Sequence, residues 1–113
     1  MVLEFSEEAS PALPAACAIL IRRAHDGVET LLLKRSDELK HMPGLWVFPG
    51  GKVEVSDEGD DDLEQARSGA ARELQEEAGF SLPAETLQPF SHWLTPAVVK
   101  RRFATWFFIA EVG

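Results

Sequence analysis

Cysteine and basic residues are scarce in this chain of 113 residues, and each scarcity excludes a class of protein. The single cysteine, Cys17, lies in an apolar segment and cannot form a disulfide within the chain. A buried structural thiol is therefore expected, and a catalytic thiol is disfavoured. Lys and Arg total 11 against 19 Asp and Glu, which leaves a formal net charge of −8. This charge argues against a protein that binds a nucleic-acid backbone or an anionic membrane.

Long apolar runs and a basic amino terminus are also lacking. No stretch reaches transmembrane length, and the acidic start of the chain has no basic region of the kind that opens a signal peptide. A cytoplasmic location is therefore expected. The hydrophobic fraction of 45% is sufficient for the core of one small globular domain.

Hydrophobic patterning predicts strands on either side of one central helix. The helix is expected over about residues 61–78, with Asp61 and Glu64 spaced as a capping box and Gly79 as its left-handed end. Pro83 and Pro89 are interpreted as marks of a linker, and the first dozen residues as an irregular lead-in. The predicted strands cover residues 15–22, 28–34, 45–48 and 103–112.

Three glutamates of the predicted helix indicate a site for a cation. Glu73, Glu76 and Glu77 are spaced i, i+3 and i+4, so on an α-helix they project from one face. Arg72 can neutralise one of the charges, because it lies four residues before Glu76. The remaining charge suits a hard divalent cation, and the Pro-Gly-Gly turn within residues 48–51 delivers backbone close to the helix. A solvated helix face is the alternative interpretation.

The order of these residues resembles the signature box of the Nudix hydrolases. Every fixed position from Arg72 to Phe80 matches, and the family's seven residues separate Glu64 from Arg72. The departure lies upstream, where twelve residues separate Gly51 from Glu64 in place of the usual five. The extra acidic residues are expected to form a surface insertion. The run from Asp57 to Asp62 is interpreted as a solvated loop that places favourable charge at a helix amino terminus.

The resemblance implies an α+β fold, a Nudix-like αβα sandwich with a mixed sheet. It assigns residues 1–113 to one domain, with the box over 49–80 and the insertion at about 52–60. Domains of this family continue past the last strand with a further strand, a loop and a helix, so the C-terminal part of the domain is expected to be missing. Either a homodimer or a longer parent protein is then expected, because the last strand would otherwise expose an apolar face.

The activity implied by the resemblance is hydrolysis of a phosphoric anhydride bond, in a nucleoside diphosphate linked to another moiety, with Mg²⁺ or Mn²⁺. Glu73 or Glu77 is a candidate general base, and a glutamate from a later loop is the alternative. Arg72 joins the catalytic set because it orients the glutamates. Glu64 either supports the metal or is only a capping residue. The implied metal shell comprises the Gly51 carbonyl with Glu73, Glu76 and Glu77.

Residues ahead of the box resemble the signature of coenzyme A diphosphatases within the family. The substrate-binding residues that this implies are Arg35, Ser36, Lys40 and Gly50. Lys40 stands where that signature has Arg, and lysine lacks the fork that grips phosphate in two places. Three alternatives stay open: a pyrophosphatase of ADP-ribose or another nucleotide, a non-catalytic nucleotide-binding module, and an interaction fragment. Independently of these, the alternative to substrate binding by Arg35 and Lys40 is that they are ordinary surface cations beside an acidic helix.

Overall fold

The computed structural model describes residues 11–39, 43–96 and 102–113. Lys40 and most of the expected lead-in lie outside these ranges. The described strands are β1 (Ala12–Ala24), β2 (Gly27–Thr30), β3 (Leu33–Lys34), β4 (Trp46–Val47), β5 (Gly50–Lys52), β6 (Gln88–Leu94) and β7 (Arg102–Glu111). One α-helix, α1 (Asp62–Ala78), and a short 3-10 helix (Ala84–Thr86) complete the elements of the described residues.

The main sheet is mixed, and the long strand β1 organises it. The strands run in the order β2-β1-β7-β6, and β5 pairs with β1 beside β2. β1 and β7 are parallel, whereas β1 is antiparallel to β2 and β5, and β6 is antiparallel to β7. β3 and β4 form a separate two-stranded sheet. The expected α+β class and mixed sheet are thus confirmed, with one helical layer in the described part of the chain.

The ends of α1 follow from its capping residues. Asp61 is the N-cap, and its Oδ1 accepts a 2.8 Å hydrogen bond from the Glu64 N–H. Gly79 ends the helix with φ = 73°, a left-handed conformation that glycine adopts without a Cβ penalty. Its N–H donates to the Gln75 carbonyl. The predicted helix start at Asp61 and helix stop at Gly79 are confirmed. Of the predicted capping box, the structure shows the bond from the Glu64 N–H to Asp61, whereas the Glu64 carboxylate pairs with Arg67.

Small residues hold α1 close against the sheet. Ala66, Ala70 and Leu74 are spaced four apart, so they form one buried stripe of the helix. The stripe packs in one core cluster with residues of β1 and β7, namely Ala16, Ala18, Leu20, Phe108 and Ala110.

No described helix is long and apolar enough to cross a membrane.

Three predicted boundaries were wrong. Pro89 lies in strand β6 and not in a linker, because β6 is an edge strand and its register shifts between Pro89 and Ser91, where a missing N–H is tolerated. The hairpin partner of β1 ends at Thr30, and Leu33–Lys34 pairs with β4 instead. The Gly-Gly pair forms part of strand β5 on β1, whereas the sequence suggested a turn.

Candidate active site

Strand β5 carries two glycines to the carboxylates of α1. Gly50 and Gly51 pair with β1, and the Gly50 N–H donates a 2.9 Å hydrogen bond to Oε1 of Glu77. A Cβ added to Gly51 would lie 2.9 Å from Oε1 of Glu73. The absence of a side chain at Gly51 therefore allows the Glu73 carboxylate to approach the strand.

Arg72 connects the glutamates to the loop before the helix. Its Nη1 donates hydrogen bonds to Oε1 of Glu73 at 2.8 Å and to Oε2 of Glu76 at 3.1 Å. Its Nε and Nη2 bind Oδ1 and Oδ2 of Asp57 at 2.9 and 3.2 Å. Nη2 also donates to the Lys52 carbonyl at 3.1 Å. All three nitrogens of the guanidinium are thereby engaged, and the orientation of Arg72 is fixed.

Asp57 is the site residue that the sequence interpretation missed. It is only 7% exposed, so its assignment to a solvated loop was wrong. A signal was present in the spacing, because five residues separate Gly51 from Asp57, as in the usual box. We infer that Asp57 takes the place of the first box glutamate, and that the extra residues lie between Asp57 and α1.

Glu64 has a local structural role at the start of α1. Its N–H is capped by Asp61, and its carboxylate lies 3.4 Å from Nη2 of Arg67. Helix capping and an ion pair within the same helix therefore explain the position of Glu64.

The pKa of Asp57 is lowered although the residue is buried. Burial alone would raise this pKa, but hydrogen bonds from Arg72 and from the Glu54 N–H stabilise the charged carboxylate and outweigh burial. The hydrogen bonds from Arg72 to Asp57 and to Glu73, with the charges of both carboxylates, raise the pKa of Arg72 further above its ordinary value despite its burial. The pair is therefore charged at neutral pH.

Negative charge accumulates around Glu73. Burial raises the pKa of Glu73, Arg72 opposes the rise, and the neighbouring charges of Glu77 and Glu76 add to it. The pKa of Cys17 rises to about 11, through burial first and then through the charges of Glu77 and Glu73. Cys17 is thus a neutral thiol at physiological pH, as expected for a structural residue. A bound cation would relieve the repulsion among these carboxylates.

The donor atoms of this site suit a divalent cation, but their side chains are not arranged around one position. Within residues 11–39, 43–96 and 102–113, no group of three acidic, histidine or cysteine side chains is placed to hold a metal ion. The oxygen donors suit Mg²⁺ or Mn²⁺. However, Glu76 is engaged by Arg72 and Glu77 by the Gly50 N–H. Side chains of this cluster must therefore turn before three of its carboxylates can coordinate one ion.

Arg35 and Ser36, together with Gly44, which also belongs to the coenzyme A signature, make hydrogen bonds within their own loop. The Ser36 hydroxyl accepts a hydrogen bond from the Glu38 N–H, and its carbonyl accepts from the Leu39 and Gly44 N–H groups. Gly44 has φ = 71°, which favours glycine. The Arg35 N–H donates to the Leu45 carbonyl across the same loop. Local structure thus accounts for Ser36 and Gly44 without a substrate.

Residues 11–113 match the family described as the NUDIX domain. The chain belongs to this family. It is 32% identical over 82 residues to the m7GpppN-mRNA hydrolase NUDT17 of Danio rerio, an alignment that covers 73% of this chain. The aligned region is 24% of that relative, so the chain spans about a quarter of the length of the curated NUDIX relative.

Two solved structures share the fold of this NUDIX chain. The NUDIX hydrolase of Alicyclobacillus acidocaldarius superposes with a TM-score of 0.82 at 22% identity, over 91% of this chain and 71% of that one. The NUDIX domain of Shewanella oneidensis NrtR, in complex with ADP ribose, superposes with a TM-score of 0.70 at 23% identity, over 92% and 62%. These likenesses establish the fold. They do not single out the coenzyme A branch.

Proposed function

We propose that this NUDIX chain carries the catalytic centre of a divalent-metal-dependent pyrophosphohydrolase. The substrate class is a nucleoside diphosphate linked to a further moiety. The observation that carries the proposal is the convergence of Glu73 and Glu77 on the Gly50–Gly51 strand, with Arg72 hydrogen-bonded to Glu73. The carboxylates of these glutamates, beside backbone that carries no side chains, suit a divalent cation that would neutralise the charge of a phosphate group.

Each residue of the centre has a distinct role in this proposal. The groups that would hold Mg²⁺ or Mn²⁺ are the carboxylates of Glu73, Glu76 and Glu77 and the Gly51 carbonyl. A bound ion would neutralise phosphate charge and activate water. Arg72 keeps the Glu73 carboxylate turned toward β5. Glu73 or Glu77 accepts the proton of the attacking water, unless a glutamate outside this chain does so. The raised pKa of Glu73 suits a proton acceptor.

Metal binding is the first test of this centre. The melting temperature of the protein should rise with Mg²⁺ or Mn²⁺ concentration, since a ligand that binds only the folded state stabilises it. The double variant Glu76→Gln with Glu77→Gln should lose most of that rise. An equal rise in wild type and double variant would refute the ligand assignment.

The substrate that we favour within this class is a cap-type dinucleoside triphosphate. The support is the name of the relative, an m7GpppN-mRNA hydrolase. A cap dinucleotide is a small molecule, and its cleavage does not require contacts along a nucleic-acid backbone. The net charge of −8 therefore remains compatible with such a substrate. Coenzyme A, suggested by Arg35 and Lys40, is the second candidate, and ADP-ribose is the third.

A substrate panel decides among these candidates. The protein expressed from the complete gene should be incubated with m7GpppG, coenzyme A and ADP-ribose in the presence of Mg²⁺ or Mn²⁺, with chromatographic analysis of products. Cleavage of m7GpppG with the highest kcat/KM supports the cap proposal. Preferential cleavage of coenzyme A, lowered by Arg35→Ala, supports the second candidate. Absence of all turnover contradicts the enzyme proposal.

A non-catalytic nucleotide-binding module is the competing function. The ADP ribose complex of the NrtR domain, which shares this fold, is the observation that favours it. Calorimetry with ADP-ribose distinguishes the two functions. Binding without turnover under any metal condition would favour the module.

A further inference from the structure

The guanidinium of Arg72 divides its contacts between a fixed side and a shared side. Nε and Nη2 are taken by Asp57 and by the Lys52 carbonyl. Only Nη1 faces the glutamates of α1. Nη1 carries two hydrogens, and these are donated to Glu73 and Glu76.

A third carboxylate, that of Glu54, lies close to the same nitrogen. Oε1 of Glu54 lies 3.4 Å from Nη1 of Arg72, within ion-pair distance but without a hydrogen bond. The side chains of Glu54 and Glu76 are both 56% exposed, whereas that of Glu73 is 14% exposed. Three carboxylates thus compete for two hydrogens, and the two exposed ones are the candidates for exchange.

The backbone of Glu54 is fixed in a position that favours this competition. Its N–H donates to Oδ2 of Asp57, and its carbonyl accepts from the Asp57 N–H. Because Asp57 also anchors Arg72, Glu54 and the guanidinium share one support. A change of side-chain rotamer at Glu54 is therefore sufficient to form the hydrogen bond, without movement of the loop.

We propose that Glu54 is a positioning residue that replaces Glu76 on Arg72 when Glu76 turns to bind a divalent cation. This inference rests on the proposed function, which requires Glu76 as a metal ligand. Without a replacement, departure of Glu76 would leave one Nη1 hydrogen without its charged acceptor. Glu54 takes that hydrogen, so the orientation of Arg72 and its bond to Glu73 are retained in the metal-bound state.

Titration with Mn²⁺, followed by electron paramagnetic resonance, tests the exchange without a substrate. Glu54→Ala should weaken Mn²⁺ binding roughly threefold to fivefold, a size typical of an exposed ion pair. Glu58→Ala is the matched control, because it removes an exposed carboxylate from the same loop, and it should change the affinity by less than Glu54→Ala does. Equal effects of the two variants would overturn the proposal.

A double-mutant cycle separates an exchange from a simple effect of charge. If Glu54 acts through Glu76, Glu54→Ala should have no further effect in a Glu76→Gln background. An undiminished effect in that background would mean that Glu54 acts by long-range attraction, and would overturn the exchange.

The same titrations distinguish this proposal from the proposed function. If wild type binds Mn²⁺ and Glu76→Gln weakens binding while Glu54→Ala does not, only the exchange fails. If wild type and Glu76→Gln bind equally, the assignment of Glu76 as a ligand fails and the exchange is overturned with it.

Discussion

The carboxylate of Asp57 binds the guanidinium of Arg72 in a two-pronged pair, with distances of 2.9 Å to Nε and 3.2 Å to Nη2. Such a fork fixes both the position and the plane of the arginine. Arg72 in turn holds Glu73 and Glu76. The glutamates of α1 are therefore supported by a residue that lies outside the helix, in the loop after β5.

Replacement of Asp57 should destabilise the fold. Asp57→Asn leaves the charge of Arg72 without its buried partner, and a loss of about 2–4 kcal/mol in the free energy of unfolding is expected. Urea denaturation measures this loss. Asp60→Asn, a change at an exposed position of the same loop, should cost less than about 0.5 kcal/mol. Similar values for both variants would contradict the structural role of Asp57.

The same pair predicts how stability depends on acid. Because the pKa of Asp57 is lower in the folded state than its ordinary value of 3.8, its contribution is fully present above that value and is lost as pH falls through the lowered pKa. Denaturation curves recorded at successively lower pH should show a steeper loss for wild type than for Asp57→Asn. Parallel pH profiles would contradict the prediction.

Gly69 should respond to substitution with a sign that depends on Asp57. A Cβ at Gly69 would lie 2.8 Å from Oδ2 of Asp57, whose carboxylate is held by three hydrogen bonds and cannot easily shift. Gly69→Ala should therefore lower the free energy of unfolding in wild type. In an Asp57→Ala background, Gly69→Ala should instead raise the free energy of unfolding by about 0.5–1 kcal/mol, since alanine favours a helix more than glycine does. The same sign in both backgrounds would refute the steric argument.

Cys17 should report the charge of the neighbouring glutamates. Its pKa of about 11, against an ordinary 9.0, means that the neutral thiol is favoured in the fold. The contribution of the Cys17 thiol to the free energy of unfolding is fully present below pH 9.0 and is lost as pH rises toward about 11. Titration of the ultraviolet absorbance of the thiolate measures this pKa. The chain contains no tyrosine that would obscure the signal.

Two variants separate the causes of this shift. Glu77→Gln should lower the pKa of Cys17, because one of the nearby charges is removed. Glu85→Gln, in the 3-10 helix, is the control and should leave it unchanged. An unaltered pKa in Glu77→Gln would contradict a contribution from the charge of Glu77.

Strand β6 should mediate self-association. It lies at an edge of the described sheet and exposes Phe90, Trp93 and Leu94 by 63%, 67% and 56%. The sequence suggested the last strand, β7, for this role, but β7 is paired on both sides, with β1 and with β6. Exposed apolar edges favour pairing with another chain. Light scattering should show a mass above 12.5 kDa that falls toward this value in Trp93→Glu but not in Val28→Glu, a change on the opposite edge. A monomeric wild type would contradict the expected homodimer.

Local features of this chain were predictable because their causes lie within a few residues. The capping pair Asp61 and Glu64, and the helix end at Gly79, depend on backbone hydrogen bonds between near neighbours. The common face of the glutamates follows from helix periodicity alone. Strand β6 was not predictable in this way, because Pro89 breaks the usual pattern and is tolerated only where the sheet has an edge.

The sequence by itself determined the central helix, its ends and the glutamate face, since these depend on periodicity and capping. Only the tertiary structure decided that the carboxylate of Asp57 is buried against Arg72, since its spacing from Gly51 does not by itself specify a contact. Asp57 is one acidic residue among several in a row, and nothing in its immediate neighbours distinguishes it from those that remain in solvent. Its burial arises because β5 and α1 meet, with Gly69 leaving room for the carboxylate. Desolvation and pairing with Arg72 are consequences of that contact between distant segments.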